Sequence, residues 1–390
     1  MSNLVERSVM MVPVRKNAGF ADVYSGRGGT DFYILQGQLM RRAGRKSKTV
    51  GIFMHPTAAL HALTFPPALT EAGIDVIIAN SRYFGNDSAL LMENVLIDLG
   101  AFIRSAREDY GYEKVVLIGW SGGGALMCYY QSQAEAPSVE QTPAGDPLSM
   151  KEAGLIPGDG IAVIAAHRSR HSALTDWMDA SVLDELNPEK RDRELDLYDP
   201  NNPNQPPYSA VFLERYRSKQ KARNRRITAW VKDTLEHLRS AGDDEAERAF
   251  VVHRTMADPK WLDPTIDAND RRPGWCYLGD PRIVNTSPAG FARFCTLRGW
   301  LSQWSLDDAL CDGPIQLART SVPFMIIENT ADEVCPRSDT LAYFEASRRE
   351  DKEMLRIPGA THYYAGQPEL LAEAIRFTRR WLEKHKLVSA

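Results

Sequence analysis

Short runs of β-branched and aliphatic residues, each closed by turn formers and followed by a helical repeat, recur through the first half of the chain and again near its end. Thr49-Val-Gly-Ile-Phe-Met leads into His55-Pro56, Ile74-Asp-Val-Ile-Ile-Ala into Asn80, Lys114-Val-Val-Leu-Ile into Gly119, and Gly160-Ile-Ala-Val-Ile-Ala-Ala into His167. Near-continuous apolar runs of this length predict strands covered on both faces, as in a parallel sheet built from βαβ units. Between them, residues 88–110 carry Leu90, Leu91, Val95, Leu96, Leu99 and Phe102 at helical spacing, which predicts a helix. The same grammar returns at Val322-Pro-Phe-Met-Ile-Ile-Glu and Glu353-Met-Leu-Arg-Ile, with helices near residues 338–348 and 368–385. Val12-Pro-Val and Phe32-Tyr-Ile-Leu-Gln-Gly-Gln-Leu read as a first antiparallel pair, or else as a segment reaching over the rest of the chain or a partner subunit.

From residue 168 to 312 the pattern changes to few strand-like runs and many charges, prolines and tryptophans. This predicts an inserted, mainly helical domain: a turn-rich loop over residues 196–207, then a long helix over 208–240. The expected division is a core of residues 1–167 and 313–390, with 168–312 folding over the sheet's carboxyl edge as a lid.

Composition narrows the class. With 390 residues, 43% of them hydrophobic and 25% charged, the chain can bury a large core. Lys+Arg 47 against Asp+Glu 51 gives a net charge of −4, which argues against a dedicated nucleic-acid or anionic-membrane binder. The basic run Arg215, Arg217, Lys219, Lys221, Arg223, Arg225, Arg226 is the exception, and reads as a solvated helix face balanced by Glu189, Asp192, Glu194 and Asp196. Five cysteines without C-x-x-C spacing fit a reducing compartment. No apolar run approaches the ~18 residues of a membrane span, so the expectation is a cytoplasmic protein.

The chemistry concentrates at Gly119-Trp120-Ser121-Gly122-Gly123, directly after a buried strand and before a helix. As a pattern alone G-x-S-x-G is cheap, on the order of one chance in ten for a chain of this length. Its setting is specific, because a sharp strand-to-helix turn needs small neighbours and presents the serine above the sheet. The following helix aims unpaired amides toward Ser121, and the Gly122 amide is the first oxyanion donor. A serine hydroxyl also needs a base, and the base needs a third group to fix its tautomer. Asp332, in Asn329-Thr-Ala-Asp332-Glu-Val-Cys-Pro, and His362, in Gly359-Ala-Thr-His-Tyr-Tyr, each follow a predicted strand. Asp332 competes with Glu328, Glu333 and Asp312 for its role, and His362 with seven other histidines.

With Ser121, Asp332 and His362 in that order, the chain resembles the α/β-hydrolase family over residues 48–167 and 322–384. The resemblance implies an eight-stranded, mostly parallel sheet flanked by helices, with Ser121, Asp332 and His362 as the catalytic triad at its carboxyl edge. It also implies a second oxyanion amide after the third strand, where His55-Pro56-Thr57 stands in place of His-Gly-x. Pro56 has no amide, so Thr57 is the expected donor and His55 a brace of the loop. Arg82-Tyr-Phe-Gly85-Asn-Asp-Ser88 resembles, imperfectly, the family's segment after the fourth strand.

The implied reaction is hydrolysis of a small-molecule carboxylic ester through an acyl-enzyme, with no cofactor and no metal. A carbon–carbon bond hydrolase or thioesterase with the same triad, and a non-catalytic ligand-binding protein, are the alternatives. Candidate substrate contacts are His55, Trp120, His167, Arg168, Arg298 and Trp304; Arg170 and His171 lie beside them. A small molecule is the expected partner, membranes and nucleic acids are not, and a homodimer is left open.

Overall fold

The computed structural model of the chain describes residues 5–15, 32–242, 246–287 and 294–388. Its strands are β1 (Val5–Arg15), β2 (Phe32–Arg42), β3 (Thr49–His55), β4 (Asp75–Asn80), β5 (Lys114–Trp120), β6 (Gly160–Ile164), β7 (Ala249–Val251), β8 (Phe294–Thr296), β9 (Phe324–Asn329) and β10 (Glu353–Ile357). Eight of them form one sheet in the order β1-β2-β4-β3-β5-β6-β9-β10. β1 and β2 run antiparallel to their neighbours, and every other pair is parallel. The first two strands thus form the sheet's antiparallel edge, with Val12 opposite Leu35, rather than reaching over the rest of the chain.

Every residue of β3, β6 and β9 is buried, the apolar stretches as a sheet covered on both faces demands, and the polar Thr49, His55, Glu328 and Asn329 at strand ends. One face of the sheet packs against the helices Met92–Glu108 and Gly123–Glu135, the other against Phe65–Glu71 and Pro368–Lys384. On Met92–Glu108 the residues Val95, Leu96, Leu99, Phe102 and Ile103 are fully buried. Each such side chain contributes about 1.5–3 kcal/mol by leaving water. The helix starts at Met92, four residues later than the apolar spacing predicts. Residues 88–91 are instead tied to the insertion: the Thr296 amide donates to the Ser88 carbonyl, and the Met92 amide to Ser302 Oγ. Tertiary contacts override the local helical signal there.

The insertion leaves after β6 and returns before β9. Its two ends meet in a bridge between Ser169 and Asp312, closed by the Gly313 amide donating to the Arg168 carbonyl at 2.8 Å. It is mainly helical, built round the long helix Ala210–Ser240, with β7 and β8 as a small antiparallel pair. Ser209 caps the long helix by accepting from the Phe212 amide. Trp177, Trp261, Trp300 and Trp304 form one cluster that also takes in Val334 and Cys335 from the loop after β9. The arginines of the basic run on the long helix are committed to internal pairs, Arg215 with Glu194 and Asp192, Arg217 with Asp258, Arg223 and Arg226 with Glu185, and Arg225 with Asp307, while Lys219 and Lys221 stay on its exposed face. No helix among the described residues is long and apolar enough to cross a membrane.

Candidate active site

β5 ends in a turn whose tightness follows from its glycines. A Cβ on Gly119 would lie 2.6 Å from Gly124 Cα, and one on Gly123 would lie 2.4 Å from the Met54 carbonyl oxygen. Only glycine fits at either position. Ser121 takes the left-handed conformation, φ 53°, that a strained elbow imposes on its apex residue. Its amide donates to the carbonyls of Ile164 and Ala165 at the end of β6. Gly122 follows and opens the helix Gly123–Glu135, whose positive dipole end makes this turn attractive to negative charge.

The loops after β9 and β10 supply a buried carboxylate and imidazole. His362 Nδ1 lies 2.6 Å from Asp332 Oδ2. The other oxygen, Oδ1, accepts from the amides of Val334 and Cys335 at 2.7 and 3.0 Å, and Asn269 of the insertion donates to the Asp332 carbonyl. With both oxygens engaged, the Asp332 carboxylate is fixed in orientation, and the contact assigns the proton on His362 to Nδ1. Nε2 is then the basic nitrogen. The competing acids are placed elsewhere: Glu328 pairs with Arg356 and Arg337, and Asp312 with Arg168. Glu333 is the exception: its carboxylate lies close enough to feel the charges of Asp332 and His362, while its backbone carbonyl accepts from Trp261 Nε1.

Trp120 is fully buried beneath the site, edge-on to the rings of His362, Tyr364 and Phe65. It supports His362 rather than lining open space.

The loop after β3 departs from expectation. The Thr57 amide, expected as the second oxyanion donor, instead donates to His55 Nδ1 at 3.1 Å, joined by the Ala58 amide at 2.9 Å. Two donors on Nδ1 leave the hydrogen of the neutral ring on Nε2. Nε2 sits 2.6 Å from the point a Cβ on Gly122 would occupy, so this N–H stands beside the first turn of the helix after Ser121. Burial, then the positive charge of Arg170, holds His55 well below the usual histidine range, so the ring is neutral. Ser81 Oγ donates to the Pro56 carbonyl and the Gly85 amide to the Thr57 carbonyl, which fixes the loop from below.

Among the candidate substrate contacts, His167 is buried next to the site, its Nδ1 without a hydrogen-bond partner. Burial and the charges of Arg170, His362 and Lys260 push its pKa down to about 3. Arg170, equally buried, pairs with Asp87 and Gln303. Arg168 points instead to Asp312 across the neck of the insertion, 3.0 Å away. Arg298 is 2% exposed and grips Asp146 through Nε and Nη2, with Nη1 on the Ala246 carbonyl. Trp304 is stacked on Trp300 at 5.3 Å in the core of the insertion. Arg298, with its guanidinium on protein acceptors, and Trp304, packed in the core of the insertion, are structural members, whereas Arg168 is tied to Asp312 but keeps much of its side chain exposed.

Sequence reasoning passed over Lys260, Asn269 and Cys335. Lys260 reaches the Val334 carbonyl, and Cys335 Sγ donates to the same Ala165 carbonyl that receives the Ser121 amide. Cys335 also brings a potential ligand atom within 4.8 Å of those of Asp332 and His362. Burial pushes the thiol's pKa well up, so the sulfur is held as a hydrogen-bond donor, whereas a metal needs thiolate. No local pattern marks these residues, because each acts through a contact distant in sequence.

Residues 59–139 match the model of a family described as the alpha/beta hydrolase fold. Among solved structures, a hypothetical protein of Pseudomonas aeruginosa is 13% identical, with 98% of this chain and 94% of that one covered at a TM-score of 0.52. DcsB, in complex with its substrate analogue, is 11% identical, with 97% and 99% covered at a TM-score of 0.51. At these identities the likeness is one of fold. No curated protein matches the chain by sequence.

Proposed function

The chain has the α/β-hydrolase fold, and from that premise we propose that it is a serine hydrolase cleaving a small-molecule carboxylic ester through an acyl-enzyme. The observation that carries this reading is the buried Asp332–His362 pair at 2.6 Å, on the same sheet edge as the strained Ser121.

In the proposed mechanism His362 Nε2 takes the proton of Ser121 Oγ as the oxygen attacks the acyl carbon, and Asp332 stabilises the imidazolium. The tetrahedral oxyanion is held by the Gly122 amide and, in place of the Thr57 amide, by the Nε2–H of His55. A neutral donor whose hydrogen is fixed by two backbone amides needs no reorganisation as charge develops, and one such donor is worth roughly 10²–10³ in rate. Collapse breaks the ester C–O bond, and the proton on His362 passes to the departing alkoxide. Water, deprotonated by His362, then attacks the acyl carbon and releases the carboxylic acid and Ser121.

The insertion acts as the lid, since Asn269, Lys260 and Trp261 all bond the loop that carries Asp332. His167 is the substrate contact this reading favours, through its unpartnered Nδ1. Five buried free thiols support a reducing, cytoplasmic setting.

The test is labelling with a fluorophosphonate probe, with peptide mapping and a Ser121→Ala control. Modification confined to Ser121, together with ester turnover lost in the variant, is the expected result. Turnover undiminished in Ser121→Ala would remove the proposal.

A further inference from the structure

A second concave site lies at the opposite, amino-terminal edge of the sheet, roughly 20 Å from Ser121 by the length of β5. It is a cavity of about 540 Å³ between the β2–β3 turn, the start of β5 and the last residues after the helix Pro368–Lys384. That volume lies within the range of small-molecule pockets.

Its lining holds seven cationic side chains and one acid, Glu113. Glu113 is bound by Lys48 at 2.8 Å, Lys114 by Asp159 outside the cavity, and Arg379 by Glu383. Arg42, Arg45 and Lys386 have no carboxylate at ion-pair distance among the described residues, and Lys46 has only the more distant Asp75, whose pKa its charge lowers. The backbone sets these four in place. The Arg45 amide donates to the Arg42 carbonyl in a tight turn through Gly44, which puts both arginines on one rim. Lys46 Nζ is anchored on the Tyr110 carbonyl at 2.6 Å. Lys386 adopts a left-handed φ of 56°, costly for a non-glycine residue, as the Leu387 amide folds back to the Leu382 carbonyl. Thr49 Oγ1 then donates to the Leu387 carbonyl and pins the chain against β3.

Four cations with a single distant carboxylate, Asp75, to offset them repel one another round one cavity, in a chain whose net charge is −4. A ligand that removes that repulsion must carry several negative charges in a small volume. A concave site of this size suits a small molecule rather than the backbone of a polymer. We infer that this cavity binds a small molecule bearing two or three linked phosphates, with Arg42 and Arg45 forking on phosphate oxygens and Lys46 and Lys386 as point charges. The inference is independent of the chemistry at Ser121.

Calorimetric titration of the full chain with inorganic tripolyphosphate, at low and at near-physiological ionic strength, tests it. One saturable site per chain is expected, weakened at least tenfold in Arg42→Ser/Arg45→Ser/Lys386→Ser. The site is expected to be unchanged in Lys219→Ser/Lys221→Ser, a control on the exposed helix surface, with melting curves verifying that both variants fold. Absence of saturation, or equal weakening in both variants, would show a diffuse charge effect and overturn the proposal. Citrate binding as tightly as tripolyphosphate would overturn the phosphate assignment.

Discussion

The Thr57 amide lies 3.1 Å from His55 Nδ1, and in the proposed mechanism this contact exchanges the roles of the two residues. A backbone amide aimed at the imidazole fixes its tautomer, and the ring's own Nε2–H becomes the donor that faces Gly122. His55→Ala is therefore expected to lower kcat toward good ester substrates about 10²–10³-fold with KM within about threefold, and added imidazole should restore part of the rate. Gly122→Ala should produce a similar loss, since its new Cβ would fall 2.6 Å from Nε2 and displace the ring. A His55→Ala enzyme of full activity would return the role to the Thr57 amide.

Asp332 is held by two backbone amides as well as by His362, so Asp332→Asn should keep its place in the loop. The amide would offer the imidazole a donor where it now finds an acceptor, and favour the wrong tautomer. A fall in kcat on the order of 10⁴-fold is expected, with the melting temperature changed little. Steady-state kinetics beside thermal melting separates this from unfolding. A drop of less than about tenfold would mean that another acid serves His362.

How much of this was legible in the sequence depends on the range of the forces. β3, β4, β5, β6 and β9 were legible because strands buried on both faces must be apolar throughout, and the elbow because Gly119 and Gly123 leave no room for side chains. That Asp332 and His362 meet was legible from their place after successive strands. The contacts of Thr57 and Arg298 were not, since the first is decided by a loop angle that periodicity does not encode and the second by a partner distant in sequence. Asp146, the partner of Arg298, lies 152 residues away.

Arg298 offers a direct contrast between binding and structural roles. Buried to 2% exposure and bonded twice to Asp146, it joins the start of the insertion's last helix to the loop after Gly123–Glu135. Arg298→Ala removes two charge-assisted bonds from a buried site while Arg239 still pairs with Asp146, so it is expected to cost about 2 kcal/mol of stability. Urea denaturation should register that loss while KM stays within about twofold. A large rise in KM at unchanged stability would restore Arg298 to the substrate site.

Acid should act on the fold through opposing buried groups. His55 is held well below the ordinary histidine value and His167 at about 3, so between those values and ~6.5 the unfolded chain binds protons that the native chain refuses. Each then lowers stability as the pH falls, by up to about 1.4 kcal/mol per pH unit within that window. Glu93 and Asp339, pushed up to about 7 by burial, do the reverse: each is protonated when native and ionised when unfolded between the usual carboxylate range and pH 7. Glu93 sits between core and insertion, accepting from Ser302 Oγ at 2.7 Å. With His171 also pushed down, to about 4, three histidines oppose two carboxyls, so the wild type should lose stability modestly from pH 7 to 5, His167→Asn should lose less than it and Glu93→Gln more. Denaturation midpoints at pH 5, 6 and 7 for the three proteins measure these slopes directly. Parallel slopes would mean that neither buried group changes its protonation on unfolding in this range.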